Sequence, residues 1–272
     1  FNSRQLLAHL IIMEELQKLK RILFNSKEYP KKEVIAIITY LQLAIDKVID
    51  RNAIQATWIA SYQRIAHTFA RHDFAFKWSY AEMDIIVKGL DWAFNNILKA
   101  YKELCEFQSS HILEPKIIKS DAKNLKFLSD NEIDVIIVDP PYYDNVMYAE
   151  LSDFFYVWMK IGLKDIYPEI FNDELTDKDN EAVANPSRFV GMGSSKKSLA
   201  KQDYEAKMEQ SFKEMNRVLQ KNGVLTIMFT HKSTDAWDTL AMALMEAGFQ
   251  ISASWPVHTE SEISLHIAKK IL

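Results

Sequence analysis

Apolar positions in the first part of the chain recur at helical spacing. From Gln5 to Phe24 they fall at Leu6, Leu10, Met13, Leu16 and Leu19, the period of one helix face. Asn25-Ser26 and Tyr29-Pro30 interrupt the pattern. A second helix is predicted from Lys31 to Arg51, with Val34, Ile38, Leu41, Ile45 and Val48 on one side. Asn52 to Tyr80 has no clean period and is rich in Trp, Phe, His and Arg. A further helix is predicted from Ala81 to Phe107, with Trp92 and Phe94 among its buried residues.

The pattern changes near Pro115. Lys116-Ile117-Ile118-Lys119 reads as a short strand leading to Ser120-Asp121-Ala122. Asp134-Val135-Ile136-Ile137-Val138 is a compact β-branched run, which suits a strand buried on both faces of a parallel sheet. It runs directly into Asp139-Pro140-Pro141-Tyr142, and a helix from Glu150 to Ile161 is expected next. Lys164 to Gln202 is long and polar, the mark of a functional loop or mobile insertion. Tyr204 to Gln220 is an amphipathic helix, with Met208, Phe212, Met215 and Leu219 on one face and a stop at Lys221-Asn222-Gly223. Val224 to Phe229 reads as another buried strand, Thr234 to Glu246 as a helix, Ala247-Gly248 as its stop, and Phe249 to Trp255 as a further strand. Strands alternating with helices imply right-handed crossovers. The expected architecture is α/β: a Rossmann-like, mainly parallel and incomplete sheet over 111–272, carrying a polar insertion at 164–202, with a helical region over 1–110.

Composition narrows this only slightly. The 272 residues are 48% hydrophobic, 12% aromatic and 26% charged, enough for a sizeable core and unlike a disordered chain. A net charge of −4 does not advertise a nucleic-acid binder, although a local basic face remains compatible with it. The single cysteine, Cys105, excludes an internal disulfide and a cysteine-rich zinc site, and reads as a small apolar filler on a helix. No apolar run is long enough to span a bilayer. Phe1-Asn2-Ser3-Arg4-Gln5 has neither an initiator Met nor a signal-peptide pattern, so the expectation is a cytoplasmic protein represented by a fragment.

The tetrapeptide Asp139-Pro140-Pro141-Tyr142 stands where open α/β sheets bind ligands, beyond the carboxyl end of a strand. Its residue types fit the methylation of an exocyclic amino group. Such a nitrogen is a poor nucleophile because its lone pair is delocalised into the ring. A carboxylate (Asp139) and a backbone carbonyl (Pro140), each accepting one N–H, favour a pyramidal nitrogen with an outward lone pair. Two prolines stiffen the turn, because each fixes φ and lacks an N–H. The acceptors are thereby preorganised. Tyr142 offers a face for stacking a flipped base, whose unstacking costs a few kcal/mol. The plain alternative is a turn after a strand with a surface aromatic.

The run from Asp139 to Trp158 resembles the core of the adenine-specific DNA methylases, the large prokaryotic group that often carries a zinc ribbon. The resemblance extends to Arg217-Val218-Leu219, Gly223-Val224-Leu225, Met228 to Trp237, Ala247-Gly248-Phe249 and Trp255 to Glu260. It continues more weakly at Arg4-Gln5-Leu6-Leu7 and Thr68-Phe69-Ala70-Arg71, and so covers nearly the whole chain. It implies S-adenosyl-L-methionine as methyl donor and a DNA base, adenine N6 preferred, as acceptor. Transfer would be an in-line displacement without a covalent enzyme intermediate. It implies an amino-gripping role for Asp139, Pro140, Pro141 and Tyr142, with Tyr142, Tyr143, Thr230 and His231 against the substrate and Asp121 and Asp139 near the cofactor. A turn or N-cap carboxylate is the alternative for Asp121.

Two features depart from the family. The glycine-rich cofactor loop is missing, with only six glycines in the chain, and Gly191-Met192-Gly193 reads as a loop. The zinc ribbon is missing too. A truncated protein or half of a split enzyme is therefore expected, the cofactor loop lying on an upstream segment or a separate chain. An RNA or nucleobase amino-methyltransferase, and a non-catalytic subunit that binds nucleic acid or a partner chain, remain alternatives.

Thr230, His231, Lys232 and Ser233 are expected on the same rim as Asp139, either lining the cleft or, for Ser233 and Thr234, capping a helix. His231 is not expected to be a general base, because the amino proton can leave after transfer. His258 and Glu260 fall on that rim but are too few for a metal site. Asp153 is expected to decorate a helix rather than orient a loop. Trp58, Arg64, Arg71, His72 and Trp78 are expected as aromatic core with solvated charge, and otherwise as a surface for single-stranded or flipped nucleic acid. Lys196, Lys197 and Lys201 read as loop charges that either contact phosphates or are simply solvated.

Overall fold

The computed structural model describes residues 1–257 apart from 73, 75, 76, 108–114, 145, 194, 232 and 233. Within these the chain forms two compact units. One comprises the described residues of 1–114 with 149–178, the other those of 115–148 with 179–257. No helix of the described residues is long and apolar enough to cross a membrane.

The first unit is helical. Helix α1 (Ser3–Asn25) opens on a capping box: the Asn2 side chain accepts from the Gln5 amide at 2.8 Å, and the Gln5 side chain accepts from the Asn2 amide at 3.0 Å. Helix α2 (Lys31–Ile49) starts after Pro30, and buries Val34, Ile38, Ile45, Val48 and Ile49 at the expected spacing. Helix α3 (Leu90–Phe107) continues from a π-helical turn at Ile85–Gly89. Helix α4 (Tyr148–Leu163) sends Trp158 and Leu163 into a core shared with Met13, Leu16, Ile38 and Ile49. Two two-residue strands, β1 (Trp58–Ile59) and β2 (Arg64–Ile65), pair antiparallel through a turn at Gln63, whose φ is 48°.

The buried stripe of α1 is not the one its leucines suggest. Leu6, Leu10 and Leu19 are exposed, while Gln5, His9, Met13, Leu16 and Lys20 face inward. The polar members are accommodated because each finds a partner. The Gln5 side chain bonds Asn52 at 3.5 Å, His9 Nε2 approaches the Asn52 carbonyl at 3.1 Å, and Lys20 Nζ donates to the Gly162 carbonyl at 2.9 Å and to Asp165 at 2.7 Å. Phe94 is exposed, and it is Ala93 that enters the core. Trp58 and Trp78 are exposed rather than packed, and Cys105 is exposed on α3 rather than filling an interior gap. Asp153 accepts from the Thr176 amide at 2.9 Å and hydroxyl at 2.6 Å and pairs with Lys178 at 2.6 Å. It therefore orients the segment that follows α4 instead of decorating the helix.

The second unit is α/β. Strand β3 (Ile133–Val138) pairs in parallel with β4 (Leu219–Ile227), Val135 opposite Val224 and Val138 opposite Ile227. Helices α5 (Lys196–Val218) and α6 (Thr234–Glu246) cover one face of this pair, where Tyr204, Met208, Phe212, Leu240 and Leu244 pack with Leu225 and Ile227. Val135, Ile137, Val224 and Met228 are exposed, so among the described residues the sheet is covered on one face and not both. A full Rossmann sheet is not shown. Lys116–Lys119 and Phe249–Trp255 form no strand: among the described residues neither has a neighbouring strand to bond to, and Ile117, Ile251 and Trp255 are exposed.

Lys221-Asn222-Gly223 is a register shift inside β4 rather than a helix stop. A Cβ on Gly223 would lie 2.8 Å from the Asp134 carbonyl, which explains the glycine. The expected polar loop contains a 3-10 turn at Pro186–Phe189 and the first two turns of α5, so Lys196, Lys197 and Lys201 are helical. Arg217 fixes the approach to β3 by donating to the Leu128 carbonyl at 3.1 Å, the Leu125 carbonyl at 3.0 Å and Asp130 at 2.6 Å.

Candidate active site

Strand β3 ends where its hydrogen bonding must end. The Met228 amide donates to the Val138 carbonyl at 3.0 Å, and the next two residues after Asp139 are prolines with no N–H to give. The Asp139 side chain is exposed at the strand tip. Tyr142 turns back over it, its hydroxyl donating to Asp139 Oδ1 at 2.5 Å. The Tyr142 ring meets Phe229 edge-on at 5.6 Å, and Phe229 meets Trp237 edge-on at 5.0 Å.

The turn is held from beneath. The buried Tyr204 of α5 donates its hydroxyl to the Pro141 carbonyl at 2.9 Å, and the Tyr143 amide donates to the same oxygen at 3.0 Å. Burial pushes the Tyr204 phenol up to about 12, so it remains a donor at neutral pH. Tyr143 sits at φ 53°, a left-handed conformation that costs a bulky side chain about 1–2 kcal/mol. It persists because the Ala184 amide bonds its carbonyl at 2.9 Å and its ring is wedged between Tyr204 at 5.1 Å and His231 at 5.8 Å. Backbone strain over-determined in this way gathers at functional turns. Burial, then Asp144, raises the Tyr143 phenol, and burial, then Asp139, raises that of Tyr148. With the Pro141 carbonyl doubly occupied, the acceptors left on the turn are the exposed Asp139 carboxylate, bonded at Oδ1 by Tyr142, and the Pro140 carbonyl, which has no partner among the described residues.

His231 lies on this rim. Its side chain is 2% exposed, its Nε2 is 3.2 Å from Asp144 Oδ1, and its carbonyl accepts from the Trp237 indole at 2.9 Å. That environment fixes a ring; it does not present a base to solvent. Thr230 is exposed just before it. Asp121 is elsewhere in the same unit, in a turn rather than after a strand. The Lys123 amide donates to Oδ1 at 2.9 Å and the Lys123 ammonium pairs with Oδ2 at 3.4 Å. Lys232, Ser233, His258 and Glu260 lie outside the described residues.

Sequence reasoning missed Tyr204, Ala184, Asp144 and Phe229 as supports of the turn. The only signal for Tyr204 was a phenol on the apolar face of a helix, which needs an acceptor when buried. Among the described residues none forms a glycine-lined cradle of the kind the resemblance implies for a cofactor. Neither the turn after β3 nor that after β4 holds a glycine, and Gly191 and Gly193, at φ 86° and 73°, stand in open space before α5. Among the described residues no group of three His, Cys, Asp or Glu side chains is placed to hold a metal ion. Comparisons with protein-family models, with curated proteins and with solved structures found no match to this chain.

Proposed function

We propose that the chain carries the amino-gripping half of a methyltransferase site that acts on an exocyclic amino group of a DNA base, adenine N6 by preference. One observation carries this. An exposed carboxylate and a neighbouring free carbonyl, Asp139 and Pro140, stand together at the tip of β3 on a turn whose other acceptor is already bonded. Two acceptors of this kind suit the two hydrogens of an –NH2 group, and leave its lone pair directed away from the protein. The Tyr142 ring, held by its bond to Asp139 and its contact with Phe229, borders the place a flipped base would take.

The donor consistent with the resemblance is S-adenosyl-L-methionine. The described residues supply no glycine-lined cradle for it, so the donor side is assigned to a separate chain or segment that brings its own loop. The test is methyl incorporation from labelled S-adenosyl-L-methionine into DNA and into RNA by the chain supplied with the segment or partner that carries the cofactor loop, with calorimetry of cofactor binding alongside. Incorporation into DNA that disappears with Asp139→Ala supports the assignment. Incorporation into RNA alone moves the substrate. Cofactor binding without incorporation into either nucleic acid removes it.

A further inference from the structure

We propose that the hairpin β1–β2 and the neighbouring Trp78, which belong to the helical unit, form a stacking platform for single-stranded nucleic acid. The aromatic side chains here are displayed rather than buried. Trp58 is 57% exposed, Tyr62 55% and Trp78 93%. Withdrawing a side chain of this size from water stabilises a fold by about 1.5–3 kcal/mol, a gain these three rings largely forgo.

The base of the hairpin is firmly fixed while its tip stays open. The Ala66 amide donates to the Thr57 carbonyl at 2.8 Å, and Arg51 donates to the Ile65 carbonyl and approaches His67 Nε2 at 3.0 Å. His67 in turn bonds Asp50, which also accepts from the Thr68 amide at 3.2 Å. A two-pair hairpin is not stable alone in water. These ties to the end of α2 hold it, and so hold Trp58 and Tyr62 outward. Lys77 bonds the Gln55 carbonyl and the Ala81 amide bonds the Ala56 carbonyl at 2.8 Å, which carries Trp78 alongside the same hairpin base.

A cation held on an aromatic ring indicates the partner. Between Asp50 and Glu82 the sequence has four Lys or Arg (Arg51, Arg64, Arg71 and Lys77) against three acids, Asp50, Asp73 and Glu82, in a chain whose net charge is −4. The Arg64 guanidinium lies 4.8 Å from the Tyr62 ring centroid, a cation over an aromatic face at the exposed tip. Flat rings interleaved with basic side chains match unpaired bases on a phosphate backbone. A duplex hides its base faces and offers such rings nothing to stack on.

The experiment is fluorescence anisotropy of labelled oligo-dT and oligo-U of about 15 nucleotides, and of a duplex of the same length, with the full chain and no cofactor. Single-strand binding therefore stands or falls apart from methyl transfer. Binding of either single strand over the duplex is expected. Trp58→Ala and Trp78→Ala should each weaken it by roughly 5- to 100-fold, Trp58→Phe should retain most of it, and Arg64→Ala should flatten its salt dependence. Circular dichroism melts confirm that each variant is folded; both indoles are exposed, so neither variant should unfold. Equal affinity for the duplex, folded alanine variants that bind as the parent does, or no binding at all would each overturn the assignment. So would Trp58-dependent self-association in sedimentation, which gives the platform to a second copy of the chain.

Discussion

The Tyr142 hydroxyl donates to Asp139 Oδ1 at 2.5 Å, joining the two polar ends of the tetrapeptide. Asp139 is exposed, so its removal should trouble the reaction far more than the fold. Asp139→Ala is expected to lower methyl incorporation at least about 100-fold, the usual scale for a preorganised polar group, with the melting temperature nearly unchanged. Tyr142→Phe keeps the ring and removes the hydroxyl that bonds Asp139, so a drop of no more than about tenfold is expected. Steady-state incorporation and thermal melts on the two variants check this. An Asp139→Ala protein with parental turnover sinks the amino-gripping role.

Tyr204 tests whether the turn must be rigid. Its phenol is fully buried and its hydroxyl serves the Pro141 carbonyl. Tyr204→Phe leaves that carbonyl with only the Tyr143 amide, at a cost of about 1 kcal/mol, or roughly 2–4 °C in melting temperature. Incorporation should fall by more than this loss of stability explains, because the Pro140 carbonyl rides on the same turn. A melt that shifts with unchanged incorporation would show that the turn needs no such support.

Much of this architecture was legible because its signals are local. The β-branched run before Asp139, the proline at the start of α2 and the boundaries of α6 need no knowledge of distant residues. What was not legible depends on partners far along the chain. Gln5, His9 and Lys20 face inward because Asn52, Gly162 and Asp165 receive them, and periodicity favours the leucines. The alternation of Phe249–Trp255 says that a strand is possible, not that a neighbour exists to pair with it. At the site, the strand-tip placement of Asp139 could be read directly, whereas the bond from Tyr204 to the Pro141 carbonyl spans 63 residues.

Two buried titratable groups give the helical unit opposing pH dependences. Burial pushes the Asp46 carboxyl up to about 7 from an ordinary 3.8, with the Gln42 amide bond at 2.9 Å pulling partly back. Between those values the unfolded chain has lost a proton that the folded chain keeps. Stability is therefore full below the lower value and is lost as pH rises through the upper. Burial lowers His9, the Asn52 carbonyl opposing, so stability there is full above its ordinary 6.5 and is lost as pH falls. Urea unfolding of Asp46→Asn should lose the alkaline decline between about pH 4 and 7 and keep the acid one. Parallel curves for parent and variant would contradict this.

Gly162 shows how tightly α4 is seated in the helical unit. A Cβ there would lie 1.9 Å from Gln42 Oε1, and Gln42 is fully buried with its amide committed to Asp46. Gly162→Ala must therefore displace Gln42 and break that bond, at an overpacking cost of about 1–3 kcal/mol. Part of this is recoverable. In Gly162→Ala with Gln42→Ala the clash is gone, so the pair should cost less than the sum of the single variants, by about 1 kcal/mol or more in a double-mutant cycle. Because the Gln42 bond lowers the Asp46 pKa, the single Gly162→Ala variant should also shift the alkaline decline to higher pH. Additive losses with no such shift would mean that α4 moves aside and Gln42 stays where it is.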